Sequence, residues 1–326
     1  MSKGMNMQPM RAERETPVET KKVLGVVPEA ENLTFTNDGR LLISGGDGLY
    51  EVDPEGRTPV RRIPIAFDRN SSPSLENRAI FLGLTQCRHF VYASCTHSLE
   101  DPKSPRYIMF MDTTQSSASM VAIHKMENEG FFNGMAADSE GNLYLADGGK
   151  IIPPKSGKLV KLRLSSPTTV AERSDWLASE GGRPNGVKID GDTLYFSEEP
   201  LLFFVGDSHV KKVRIKADGA AGVVEKIYSR PSGKLLDDIE LVEGGLLVTQ
   251  TRIINRHSRI GNKVIHISED GAKLHETQVA LALPSAVKLV PDAESLPSPD
   301  FIVTERGDAV SRISQDWGLK PRRVNR

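Results

Sequence analysis

Short apolar runs separated by tight polar turns dominate the chain. Between Glu31 and Gly56, Leu33 and Phe35 are followed by Asn37-Asp38-Gly39, then Leu41-Leu42-Ile43, then Gly45-Gly46-Asp47-Gly48, then Leu49-Tyr50-Glu51-Val52, then Pro54-Glu55-Gly56. Asn-Asp-Gly and Gly-rich tetrapeptides between runs of three to five apolar residues are hairpin signals, so this stretch predicts strand, turn, strand, turn, strand. The pattern recurs at Met135 to Leu164, at Val187 to Gly219 and at Ile239 to Gly271. Weaker copies run from Phe81 to Asp112 and from Val287 to Ile313, the latter interrupted by an insertion over Pro291 to Pro299. Six copies at a spacing of about 50 residues, each a small antiparallel sheet, predict an all-β fold, a six-bladed β-propeller. A single blade cannot bury its faces alone, so residues 23–326 are expected to form one propeller domain. Residues 1–22, which mix Met, Arg, Glu, Thr and Lys, are expected to form a disordered N-terminal tail.

Charge and composition narrow the function. The 326 residues carry 42 Lys+Arg against 43 Asp+Glu, and no basic stripe stands out, which argues against nucleic acid as a partner. No run approaches the roughly 18 apolar residues of a membrane-spanning helix, and the N-terminus has no apolar signal core, so no membrane partner is expected. Cys87 and Cys95 are too few for a disulfide framework or a four-ligand zinc site and suit a reducing compartment, so a cytoplasmic protein is expected. A monomer or weak homo-oligomer is the expected state.

The register of the repeats exposes a shared position at the start of each innermost strand. Asn133 and Asn185 are 52 residues apart, as are Asn185 and Asp237, and Glu31 precedes Asn133 by 102, two intervals of 51. Equivalent positions in successive blades form a ring about the propeller axis, so Glu31, Asn133, Asn185 and Asp237 should meet at the mouth of the central channel. The second blade offers Phe81 or Leu82 there, and the sixth Ser285. Two carboxylates and two amides supply only hard oxygen donors, which favours Ca²⁺, with Mg²⁺, Mn²⁺ or Zn²⁺ as alternatives in a permissive site. Four protein oxygens leave coordination positions open, as a catalytic metal requires.

Asn133-Gly134-Met135-Ala136-Ala137-Asp138, Pro184-Asn185-Gly186-Val187 with Leu194-Tyr195-Phe196-Ser197, and Asp237-Asp238 ahead of Gly244-Gly245-Leu246 resemble the SMP-30/gluconolactonase family, which includes regucalcin; the paraoxonases and diisopropyl fluorophosphatase are more distant relatives. The resemblance runs from Glu31 onward. It implies that Glu31, Asn133, Asn185 and Asp237 hold a catalytic divalent cation. Where that family typically reads Glu-Gly-Pro and Pro-Asp-Gly, this chain has Glu31-Asn32-Leu33 and Leu236-Asp237-Asp238, a pairing closer to the paraoxonases, so Asn32 and Asp238 are candidate second ligands or supporting groups. No counterpart of the paraoxonases' disulfide or hydrophobic N-terminal anchor is expected from Cys87, Cys95 and the polar first residues.

These residues point to a calcium-dependent hydrolase of the lactonase or esterase type, acting on a small-molecule lactone or ester, with Asp237 as ligand, general base or nucleophile. No Gly-x-Ser-x-Gly elbow supports a serine triad. The loops between second and third strands should open on the same face, placing His97, Asp147, Glu198, Glu199, Gln250, Arg252, Glu305 and Arg306 around the entrance. Of the basic groups, Arg183 and Arg252 suit an anionic or hydroxylated substrate, because a guanidinium presents a forked set of donors. His97 is a candidate proton shuttle. The other six histidines lack metal spacing, and the basic loop 252–259 is too short for a nucleic-acid stripe. Two other readings stay open: a non-catalytic propeller that binds a ligand or protein around a structural calcium, and a lyase or isomerase like the strictosidine-synthase propellers, against which the full set of four ligands counts.

Overall fold

The computed structural model describes residues 19–66, 79–99, 101, 104–115, 118–126, 129–150, 153–202, 205–252, 261–291, 300–306, 309–315, 317, 319, 320 and 322. The expected tail over 1–18, the insertion at 292–299, and the basic loop at 253–260 with His257 lie outside the described residues.

Every regular element among the described residues is a strand. After β1 (Thr20–Val26), the first blade comprises β2 (Leu33–Phe35), β3 (Leu41–Gly45), β4 (Gly48–Val52) and β5 (Arg61–Arg62). The second holds β6 (Ile65–Ala66), β7 (Ile80–Cys87), β8 (Phe90–Thr96), β9 (Arg106–Asp112) and β10 (Met120–Met126). The third has β11 (Phe132–Ala137), β12 (Leu143–Asp147), β13 (Lys158–Ser166) and β14 (Thr169–Ala178); the fourth has β15 (Gly182–Asp190), β16 (Thr193–Pro200), β17 (Ser208–Ile215) and β18 (Ala221–Arg230). The fifth is β19 (Lys234–Val242), β20 (Gly245–Arg252), β21 (Lys263–Ser268) and β22 (Lys273–Glu276), and the sixth is β23 (Pro284–Leu289), β24 (Phe301–Glu305) and β25 (Ala309–Ser314). Strand β1 pairs antiparallel with β25, so the N-terminal strand completes the last sheet. That strand begins at Thr20, inside the segment read from sequence as a tail.

The innermost strands contact one another in a closed cycle, β2 to β7, β11, β15, β19, β23 and back to β2. The fold is therefore a six-bladed β-propeller, as the repeats predict. Its core consists of six apolar layers, each between two neighbouring blades. A middle strand must feed two of these layers, which is why it reads as a continuous apolar run. In β3, Leu41 and Ile43 pack toward the sixth blade while Leu42 packs toward the second. In β16, Leu194 and Phe196 face the third blade and Tyr195 the fifth. The expected turns are tight. At Gly39, φ is +82° and the amide donates to the Thr36 carbonyl at 2.8 Å, a left-handed turn position that glycine adopts without a Cβ clash.

One hydrogen-bond motif repeats around the channel and fixes the innermost strands. The second strand of five blades carries a hydroxyl at one register position: Ser44, Ser94, Ser197, Thr249 and Thr304. Each hydroxyl accepts an amide proton from the first strand of its own blade: Asn32, Gly83, Gly186, Asp238 and Ala286, at 2.8 to 2.9 Å. It then donates to a carbonyl on the first strand of the next blade: Leu82, Phe132, Asp237, Ser285 and Glu31 respectively. Ala146 stands at this position in the third blade. In blades two to six the ladder between first and second strands skips register at this point, for example between Pro184 and Val187 and between Leu236 and Ile239. Two residues are skipped in each, and the first of them is the ring position. These bulges free their side chains from the sheet faces and turn them into the channel.

Candidate functional site: a polar ring at the channel mouth

The ring positions are Leu82, Asn133, Asn185, Asp237 and Ser285 at the bulges of blades two to six, with Glu31 just ahead of β2 in the first. The four polar ring residues expected from sequence are all buried, at 5 to 6% exposure. Close approach of the innermost strands holds them together. A Cβ at Gly134 would lie 2.2 Å from the Asn185 carbonyl oxygen, and one at Gly186 would lie 2.6 Å from the Asp238 Cα. No side chain fits at either position.

Two further residues complete the cluster. Arg306, just past β24, places its guanidinium against Glu31 as a fork, with Nε 2.8 Å from Oε2 and Nη2 2.6 Å from Oε1. The same Nη2 is 3.6 Å from Asp237 Oδ2, and Nε donates to Ser285 Oγ at 3.3 Å. Ser285 Oγ in turn donates to Asp237 Oδ2 at 3.3 Å. Glu199, at the end of β16, accepts from Asn185 Nδ2 at 3.1 Å. Glu199 and Arg306 each stand two residues after a hydroxyl of the inter-blade motif, Ser197 and Thr304. The register that aligns the ring in the sequence therefore also aligns these two, although the sequence reading places them only among the entrance residues.

Negative charge exceeds positive charge here. Burial pushes Glu199 up to about 7; Arg306, Arg183 and the Asn185 hydrogen bond pull the other way, and Glu31 adds to the rise. Burial also holds Asp237 well above the usual carboxylate range, opposed by Arg306 and reinforced by Glu31, Glu199 and Asp238. Arg306 is held charged more firmly than a free arginine, first by Glu31 and then by Asp237 and Glu199. Buried carboxylates with too little compensating charge, beside amide oxygens, match the chemistry of a hard divalent cation. Among the described residues no three His, Cys, Asp or Glu side chains converge closely enough to hold a metal ion by themselves. A cation at the ring would therefore draw on the Asn133 and Asn185 amides as well as Glu31 and Asp237.

The other candidates are spread more widely. Asn32 Oδ1 accepts from the Leu33 amide at 2.9 Å, closing a local turn. Asp238 is buried against Lys188, whose Nζ is 3.5 Å away; burial raises its pKa and Lys188 opposes the rise. Several of the residues that the sequence places around the entrance are buried and engaged. Asp147 accepts from the Gly149 amide at 2.8 Å. Glu198 accepts from Ser179 Oγ at 2.5 Å and pairs with Lys211. Gln250 Nε2 donates to the Gly261 carbonyl at 2.6 Å. Glu305 takes Ser311 Oγ and Lys21 Nζ, both at 2.6 Å, and so ties β1 to β24. Arg183 is 1% exposed, with its guanidinium 5.0 Å from the Phe131 ring centroid, and forms part of the wall between blades three and four. His97 packs edge-on to Tyr107 at 5.9 Å, and burial lowers its pKa. Arg252 is exposed. Beside Glu199 a cleft of about 470 Å³ opens, lined by Glu198, Pro200, Leu202, Val205 and Lys211, with Leu202 and Val205 more than half exposed.

No family model matches the chain, and no curated protein matches it. Among solved structures it is similar to XC5397 from Xanthomonas campestris, a gluconolactonase important in glucose secondary metabolic pathways, at 14% identity over 91% of this chain and 89% of that one, with a TM-score of 0.61. It is equally similar to Mala s 1, the major allergen of Malassezia sympodialis, at 10% identity over 93% and 95% of the two chains, TM-score 0.61. A puromycin hydrolase matches at 12% identity and a TM-score of 0.50, over 87% of this chain but 43% of its own length. At these identities the likeness is one of fold, and the first two relatives share it over nearly their whole length.

Proposed function

We propose that the protein is a divalent-cation-dependent hydrolase of the lactonase or esterase type, with calcium as the expected ion. The observation that carries this reading is the ring itself. Oxygen-donor side chains from blades one, three, four and five stand buried at equivalent positions of the innermost strands, and Arg306 alone forks onto Glu31 while Asp237 and Glu199 add further buried carboxylates. The shared fold with a gluconolactonase agrees with it.

Glu31, Asn133, Asn185 and Asp237 would hold the cation, which when bound supplies Lewis-acid polarisation of a lactone or ester carbonyl. The chain's own groups do the rest. Asp237, whose carboxylate burial holds well above the usual range and so makes a stronger base than a free aspartate, is suited to take the proton of an attacking water. Ser285 holds Asp237 Oδ2 in place through its hydroxyl. Glu199 fixes the Asn185 amide so that its oxygen is left for the channel. The cleft beside Glu199, lined by the polar Glu198 and Lys211 and the apolar Leu202 and Val205, offers room for a small ester or lactone.

The test is hydrolysis of aldonolactones, aliphatic lactones and aryl esters by EDTA-treated protein, with and without Ca²⁺, Mg²⁺, Mn²⁺ or Zn²⁺. Metal-restored turnover is expected, together with a loss of at least about 100-fold in kcat for Asp237→Asn that still binds the ion. Cation binding with no turnover anywhere on the panel would instead favour a ligand-binding propeller.

A further inference from the structure

We infer that Arg306 is a built-in counter-ion of the ring that competes with a divalent cation for Glu31 and Asp237, so that loading the site requires the guanidinium to leave. This rests on the cation-dependent reading above and adds how the site is regulated. Arg306 engages both Glu31 oxygens and stands 3.6 Å from Asp237, bridging two of the four expected ligands, those of the first and fifth blades on either side of its own. A cation bound to those carboxylates would sit beside a guanidinium in like-charge contact. Coordination and the fork are therefore alternatives.

The arginine is also placed to move. Its side chain is 45% exposed, while Glu31 and Asp237 are 7% and 8% exposed, so it reaches the ring from the solvent side. Nη1 makes no hydrogen bond among the described residues. The backbone is anchored separately, by the Arg306 amide donating to the Leu283 carbonyl at 3.1 Å. Rotation of the side chain can thus release the carboxylates while the strand stays in place. A forked, charge-assisted pair is among the stronger polar contacts. The apparent metal affinity of the whole protein is then the intrinsic affinity of the open ring multiplied by the small fraction of molecules with Arg306 withdrawn.

The experiment is calorimetric titration of Ca²⁺, Mg²⁺ and Mn²⁺ into EDTA-treated full-length protein, wild type against Arg306→Ala, with thermal unfolding recorded with and without saturating ion. Arg306→Ala should bind at least about tenfold more tightly than wild type. Without ion it should melt lower, because two buried carboxylates lose their partner, and saturating ion should recover most of that loss. Arg306→Lys, which keeps the charge but loses the fork, covers a poorly folding alanine variant and should bind with intermediate affinity. Equal affinities in wild type and variants would overturn the competition and leave the cation-dependent reading standing. A folded variant that takes up none of the three ions would overturn both.

Discussion

The Thr304 hydroxyl donates to the main-chain carbonyl of Glu31 at 2.7 Å, across the seam where the last blade meets the first, 273 residues away in sequence. The same oxygen accepts the Ala286 amide at 2.8 Å, so one buried hydroxyl binds two innermost strands and sets the backbone of the ring's glutamate. Thr304→Val keeps the shape and leaves a buried amide and a buried carbonyl short of a partner. The expected loss is about 1 to 3 kcal/mol, read as a lower urea midpoint at unchanged slope. If the proposed function holds, cation affinity should fall with it, since Glu31 is then less well placed.

Gly186 carries the second prediction. Its absent side chain is what lets β15 and β19 approach, because a Cβ there would meet the Asp238 Cα at 2.6 Å and the Ile239 amide nitrogen at 2.9 Å. Those are backbone atoms, so relief requires strands to separate. Gly186→Ala should cost about 2 to 3 kcal/mol by overpacking, checked by chemical denaturation, and should displace Asn185 and Asp237 together.

The middle strands and the ring were legible in the sequence because both follow a strict register. Middle strands are apolar on both faces, and Glu31, Asn133, Asn185 and Asp237 recur one or two blade lengths apart. The outer strands were not legible. Along Thr169–Ala178 and Ala221–Arg230 no residue is buried, so period-two alternation is too faint to mark an edge strand. For the same reason Thr20–Lys22 read as tail: in β1 only Leu24 is buried. The roles of Arg306 and Glu199 depend on which way a strand-end side chain turns. Composition cannot give that, although their shared offset from Ser197 and Thr304 would have grouped them. Arg183, expected as a group for an anionic or hydroxylated substrate, is 1% exposed with its guanidinium against Phe131, a place set by packing between two blades, which spacing does not encode.

A pH dependence follows from His266. It is buried on β21, stacked on His275, which itself stacks on Trp317, and neither ring nitrogen has a hydrogen-bond partner among the described residues. Burial, with His275 adding to it, pushes its pKa down to about 4. The folded value lies below the unfolded value near 6.5, so the unfolded chain takes up the proton first as pH falls. The contribution of this site is therefore fully present above about pH 6.5 and is lost progressively toward pH 4. His266→Phe keeps the stacking and removes the titration. Its melting temperature should fall less steeply than that of wild type between pH 6.5 and 4.5, with little difference at pH 8.

The closure of the propeller supplies the last prediction. Leu24 is the buried residue of β1 and packs in the apolar layer between the sixth and first blades, with Val27, Leu33, Ile43, Ile302 and Val310. The rest of β1 is held by its ladder to β25 and by Lys21 on Glu305. Apart from Leu24, every side chain of β1 is exposed or half-buried, so the ladder has little apolar cover of its own. Leu24→Ala should therefore cost about 2 to 3 kcal/mol and act locally, loosening β1 before the other blades. In hydrogen exchange, the amides bonded between β1 and β25 should lose protection well ahead of those in β16 and β20. If instead all blades lose protection together, the seam is not the weakest joint of the ring, and closure must be held mainly by the inner hydrogen bonds from Thr304 to Glu31 and Ala286.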